Sequence, residues 1–180
     1  YRLILPTFTF TTTCDSSTPG AIKQEIPSSS GEGPYVYYYR PVSNDHRYSY
    51  NLLPLVIDRD GAPWVEANLY ILSRLEADTR PKVATYAGIA GDLGAFKAFL
   101  EEEDIDYTDF PVRKLHRPTY RYSGYLKQRV QAGEMAASTA SRCMISVIGF
   151  YRWLISEGRL KPEHEPWVEG DRYIQFRDSK

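Results

Sequence analysis

The chain has 180 residues, 25% of them charged and 42% hydrophobic, with a formal net charge of -1 at pH 7. Such a balance fits one globular core with at most a small appendage and excludes a disordered or fibrous chain. It carries no overall bias toward a polyanionic partner, so any basic surface must be local.

From Tyr1 to Asp60 the sequence alternates β-rich and turn-rich pieces. RLILPTFTFTTT has the β-branched and aromatic content of a strand, and Pro6 either demotes it to an edge or splits it. DSSTPG and PSSSGEGP are turn or loop chemistry. PYVYYYR, from Pro34 to Arg40, and YSYNLLPLVI, from Tyr48 to Ile57, are further strand candidates, with SNDHR as a turn between them. Residues 1–60 therefore read as a small β-rich segment, a hairpin or a three-stranded sheet. Tyr35, Tyr37, Tyr38 and Tyr39 are either a stacking surface for bases or half-buried packing.

After DRDGAP the period changes. Trp64, Asn68, Ile71 and Leu75 are spaced by four, three and four, which predicts a short helix with Pro63 at or near its first position. Thr79 is placed to cap a second helix opened by Pro81, along which Tyr86, Ile89, Leu93, Phe96 and Leu100 form one packed face. The acidic run from Glu101 to Asp104 opposes the dipole at its end and suggests exposure and fraying. Pro118 begins a third helix with Tyr122, Leu126 and Val130 at four-residue steps and Gly133 as its stop.

The fourth helix carries the strongest pattern. Ala140, Cys143, Met144, Val147, Phe150, Tyr151 and Leu154 form a buried face, Ser138 can cap the first turn, and Gly158 ends the helix. Arg142, Ser146, Gly149 and Arg152 fall opposite as a narrow polar stripe, either a solvated face or a strip open to phosphates or base edges. Beyond it, KPEHEPW is a linker by composition, and YIQF, from Tyr173 to Phe176, is a strand without a partner in this sequence. That strand, and a start at Tyr1 rather than methionine, predict a fragment or trimmed chain.

Between Arg113 and Gly133 lie six basic residues, Arg113, Lys114, Arg117, Arg121, Lys127 and Arg129, and no acids. This segment is either a nucleic-acid face or a solvated helix paired with surface acids. Cys14 and Cys143 are far apart, lack metal or disulfide spacing, and read as small hydrophobes in a reducing compartment. No signal peptide and no apolar run of transmembrane length occurs, which leaves membrane insertion and secretion unsupported. Scattered histidines and the lack of a glycine-rich phosphate loop argue against a stand-alone enzyme, and no cofactor or metal is expected.

Residues 61–160 resemble the core-binding domain of tyrosine recombinases, the phage and mobile-element integrases. The resemblance is carried by Thr85 and Tyr86 followed by Leu93, Phe96, Phe99 and Leu100, by YLKQRVQAG from Tyr125, and above all by STASRCMISVIGFYRWLISEGRL from Ser138. LPLVIDRDGAPWVEANLYIL is similar to the lead-in of a subset of these integrases. The resemblance implies a mainly α fold, a four-helix SAM-like bundle preceded by the β-rich segment, with residues 161–180 a linker toward a catalytic domain. It implies double-stranded DNA and other recombinase protomers as partners, in a bacterial or phage-encoded cytoplasmic protein. The family's catalytic His-x-x-Arg pair is missing at His46, His116 and His164, so this chain is expected to be catalytically silent while the whole protein is a recombinase.

Family and residue chemistry together place the DNA contacts at two helix starts, Thr79, Arg80, Lys82 and Thr85 on the second helix and Ser138, Thr139, Ser141 and Arg142 on the fourth. Arg117 and Arg121 are expected to hold flanking phosphates, and no metal site or catalytic residue is assigned. The competing reading is a SAM-like protein-interaction or oligomerisation module.

Overall fold

The computed structural model describes residues 1–6, 11–27, 33–41, 51–80 and 82–167. The SNDHR turn, the start of the Tyr48–Ile57 strand, Pro81 and the YIQF strand lie outside the described residues. Among the described residues the fold is mainly α, with four α-helices and a small amount of N-terminal sheet. Among the described residues no helix is long and apolar enough to cross a membrane.

The chain divides into two compact units. One, Pro6–Leu52, holds β2 (Thr11–Cys14), β3 (Ile22–Ile26) and β4 (Tyr35–Pro41) as an antiparallel sheet with β4 in the centre. Tyr37 and Tyr39, two apart and so on one face of β4, set their rings 5.9 Å apart, and the Tyr37 hydroxyl donates to Gln24 Oε1 across the β3 pairing.

The other unit comprises Tyr1–Leu5 and everything from Leu53 onward. Here β1 (Arg2–Ile4) pairs antiparallel with β5 (Pro54–Val56), continued by Leu5 N–H donating to the Leu53 carbonyl. Pro6 thus splits the first strand candidate, since a ring without an N–H cannot continue the ladder. The two halves of the candidate end in different units, so the boundary of the helical unit does not fall at residue 60. Asn68 explains the attachment of β5. Its amide accepts from Val56 N–H at 2.7 Å and donates to the Val56 carbonyl at 3.0 Å, as a neighbouring strand would.

The helices are α1 (Val65–Ala77), α2 (Val83–Glu102), α3 (Pro118–Gln131) and α4 (Ala137–Ser156). Pro63 stands just before α1, where it bridges Ile57, and Trp64 is the residue at the cap. Gly133 and Gly158 adopt φ of 74° and 67° and end α3 and α4, with the Glu134 and Arg159 amides reaching back to the carbonyls of Arg129 and Leu154. Asp104, at φ 51°, does the same for α2, where the Ile105 amide bonds Leu100. The acidic run is therefore a defined stop.

Trp64, Ile71, Leu93, Phe96, Leu126, Val147, Phe150 and Leu154 are all buried, as their helical spacing requires. Phe150 is fully enclosed, with Trp64 edge-on at 5.1 Å, Tyr70 at 5.9 Å and Tyr151 at 5.6 Å. Burying such a ring contributes about 1.5–3 kcal/mol, and each well-set aromatic pair about 0.5–1.5 kcal/mol more. KPEHEPW is not a free linker. Its backbone carbonyls at Glu165 and Pro166 accept from Arg117 and Thr119, Pro166 is buried, and the His164 ring lies 3.1 Å from the Phe110 carbonyl.

Candidate nucleic-acid interface

Contacts between α2 and α4 ascend together along both helices. Gly88 lies under the Arg142 guanidinium, Asp92 accepts from Ser146, and the Phe96 ring meets Tyr151 at 6.0 Å. These two helices therefore run parallel. The 54-residue offset of Asp92 and Ser146, carried back to the first turns, sets Val83 level with Ala137. Contacts of α1 with α2 run the other way, since Trp64 packs on Phe96 while the Tyr86 hydroxyl reaches Arg74 and Asp78. In α3, Tyr122 and Tyr125 pack on Phe99, and Arg121 reaches Glu103. One end of the bundle thus gathers the starts of α2 and α4, and the other gathers the acidic run and the start of α3. At 20 residues each, α2 and α4 put these ends about 30 Å apart.

Neither start is capped by a side chain. The cap position of α2 is Lys82 and that of α4 is Ala136, and neither makes a side-chain cap bond. Thr79 and Ser138 are therefore not caps. Thr79 lies outside the helix and Ser138 within its first turn, and both are exposed. The connection into α2 is fixed instead by Asp78, whose carboxylate accepts from the Arg80 amide and the Tyr86 hydroxyl, both at 2.9 Å. Those two bonds, the backbone one first, hold the Asp78 carboxyl below its ordinary range. Two uncapped, parallel starts each carry about half a positive charge, and an anion there gains roughly 0.3–1 kcal/mol per helix.

Eight of the ten expected contact residues lie at this end. Thr79, Arg80, Lys82, Thr85 and Ser138 are exposed, and Thr139 and Ser141 are half-buried. Arg142 leans across Gly88 onto Asp92, with Nη1 at 2.8 Å and 3.0 Å from the two carboxylate oxygens, while its side chain stays 55% exposed.

Arg117 and Arg121 lie at the opposite end. The structure corrects the phosphate role of Arg117, which is buried and donates to the carbonyls of Pro111, Val112 and Glu165 at 2.8, 3.0 and 2.6 Å. A guanidinium whose donors are consumed by backbone oxygens has little left for a ligand. Arg121 pairs with Glu103 at 2.7 Å, which matches the solvated, acid-paired reading of that segment. Arg121 therefore lies about a helix length from the α2 and α4 starts.

Asp92 is the feature that periodicity does not reveal. It is 3% exposed and accepts from Arg142, from Ser146 Oγ at 2.7 Å and from Cys143 Sγ at 3.3 Å. Ser146, placed on the polar stripe by its spacing, is buried against it. Burial first, then the neighbouring carboxylate, pushes the Cys143 thiol from 9.0 up to about 11, which leaves it protonated and inert near neutrality. The sequence does carry one signal, because Asp92 is the only acid between Val83 and Leu100. An isolated carboxylate in an apolar run demands a partner.

No family model, curated protein or solved structure matches this chain.

Proposed function

We propose that this chain is the DNA-binding core-binding domain of a site-specific tyrosine recombinase, a SAM-like bundle that sets the starts of α2 and α4 against a duplex. The observation that carries the reading is the parallel register of those helices, which gathers two uncapped starts and their cations at one end. Uncapped amides and the hydroxyls of Thr85, Ser138, Thr139 and Ser141 donate to phosphate oxygens, while Arg80 and Lys82 neutralise phosphates on flexible stems. Strand cleavage and joining belong to a catalytic domain outside this sequence, and other protomers of the recombinase assemble on the same DNA.

The test is fluorescence anisotropy with a labelled mixed-sequence duplex across a salt series. Log affinity should fall linearly with log salt, and Arg80→Ala with Lys82→Ala should lower the slope by about 1.8, two phosphate contacts. Binding that ignores salt, or a slope the double variant leaves unchanged, refutes the reading. The competing interaction module is favoured by Val112, Leu115 and Ile145, which are 73, 79 and 70% exposed. Under that reading, charge reversal at Arg80 and Lys82 leaves self-association unchanged while Leu115→Asp abolishes it.

A further inference from the structure

We propose that Asp92 is a specificity-determining positioning residue, which holds the Arg142 guanidinium in a charge-neutral pair and so makes Arg142 a reader of base-edge acceptors instead of a phosphate anchor. The inference rests on the DNA-binding reading above and deepens it.

The pair is built into the joint between α2 and α4. Asp92 sits on α2 with its side chain 4% exposed, and the guanidinium that reaches it keeps 55% of its side chain in solvent. The carboxylate is fully engaged. One oxygen takes Cys143 and the other Ser146, both lie within 3.0 Å of Arg142 Nη1, and no bond has to break for the pair to persist on DNA. The guanidinium passes over Gly88, where a Cβ would stand 3.7 Å from Nη1, in ordinary van der Waals contact.

Two consequences follow. An arginine already paired with a carboxylate brings no net charge, so it displaces no counterion and adds nothing to the salt slope. Its directional donors survive. With Nη1 held by Asp92, the Nε–Nη2 edge remains, and two parallel N–H groups match O6 and N7 of guanine in the major groove. Fixing the fork in advance also removes rotamer freedom that a free arginine loses on binding. Among the described residues Arg80 and Lys82 meet no such buried carboxylate, and they supply the charge. The two helix starts thus divide the labour, with affinity on the α2 side and discrimination on the α4 side.

The experiment uses the full 180-residue chain and two probes, a labelled mixed-sequence duplex in a salt series and a randomised duplex pool from which bound sequences are selected. Thermal melting checks each fold. Wild type should enrich a sequence, and Arg142→Ala should leave the salt slope unchanged while cutting preference at one base pair by roughly tenfold or more. Asp92→Asn frees the cation, so the slope should rise by about 0.9 and mixed-sequence binding should strengthen while preference falls. Because Asn turns a donor toward Ser146 and Cys143, that variant risks its fold. Arg142→Lys keeps the charge pair without the fork, and should lose preference at constant slope. A slope lowered by about 0.9 in Arg142→Ala, a wild-type chain that enriches no sequence, or Arg142 variants that enrich the wild-type sequence equally well each overturn the assignment of Asp92 and leave the DNA-binding reading standing. Loss of salt-dependent binding by wild type overturns both.

Discussion

Gly149→Ala and Gly124→Ala are the same substitution in two helix interiors, and the structure gives them different outcomes. In an exposed helix interior, alanine in place of glycine contributes about 1 kcal/mol of stability. Gly124 of α3 has nothing within 4 Å of the position a Cβ takes, so it should realise that gain. At Gly149 of α4 the Cβ meets the Tyr70 hydroxyl at 2.7 Å, far inside the roughly 3.5 Å at which non-bonded heavy atoms attract. The Tyr70 ring has little room to retreat. It is 3% exposed, lies between Phe150 at 5.9 Å and Trp153 at 5.8 Å, and its hydroxyl accepts from Arg74 at 3.1 Å. Overpacking of this kind costs about 1–3 kcal/mol, which offsets or exceeds the propensity gain. Gly149→Ala should therefore be less stable than Gly124→Ala by about 1–3 kcal/mol. Urea unfolding followed by tryptophan fluorescence reads this, since Trp64, Trp153 and Trp167 all lie in the helical unit. Tyr70→Phe removes the clashing oxygen, and in that background the penalty at position 149 should largely vanish. Equal stability of the two glycine variants, or a penalty that survives in Tyr70→Phe, refutes the placement of α4 against α1.

Four further outcomes are expected. Phe150→Ala should cost about 3–5 kcal/mol in the same urea assay, and a loss under 1 kcal/mol means the ring is not enclosed as described. Arg117→Ala should lose roughly 2–4 kcal/mol, because three carbonyls lose a charged donor, while the salt slope of any DNA binding stays unchanged. Burial raises the Cys143 thiol and also the hydroxyls of Tyr86, Tyr107, Tyr122 and Tyr151. The folded chain holds these protons more tightly than the unfolded one, so the thiol's contribution is complete below about pH 9 and is lost as pH climbs through about 11, and the tyrosines act in the same direction. Chemical denaturation between pH 8 and 11 checks the sign, and stability that rises over that range contradicts it. Finally, the chain should neither cleave nor join DNA, and a covalent adduct with a nicked suicide duplex overturns that.

The helices were legible because burial imposes a period, and the seven apolar positions from Ala140 to Leu154 are buried without exception. Failures came where a side chain's partner lies on another element. Ser146 has the spacing of a solvent position and faces Asp92, fifty-four residues away. Arg117 and Arg121 look alike in a basic run, yet only the first meets three carbonyls of a folded-back tail and loop. Thr79 and Pro81 suggested an earlier start to α2 than Val83, because the Asx turn at Asp78 takes the role given to a cap. The strand β3 escaped notice since IKQEI is exposed along its whole length and shows no buried alternation.

The pairing of β1 with β5 makes the three-stranded unit an insertion, one whose chain leaves at Leu5 and returns at Leu53 across a single hydrogen bond of 2.9 Å. Closing a flexible loop of roughly 50 residues costs about 3.5 kcal/mol beyond a constant, so the edge strand is the last piece a folding chain can afford to add unless the insert has already condensed. Its tenure also depends on little else, namely Arg2 donating to the Ala87 carbonyl and Tyr1 lying against Gly94. Excising 6–52 and bridging Leu5 to Leu53 with Asn-Gly turns a remote encounter into a hairpin. The shortened chain should fold faster than the parent while its helical core is unaltered.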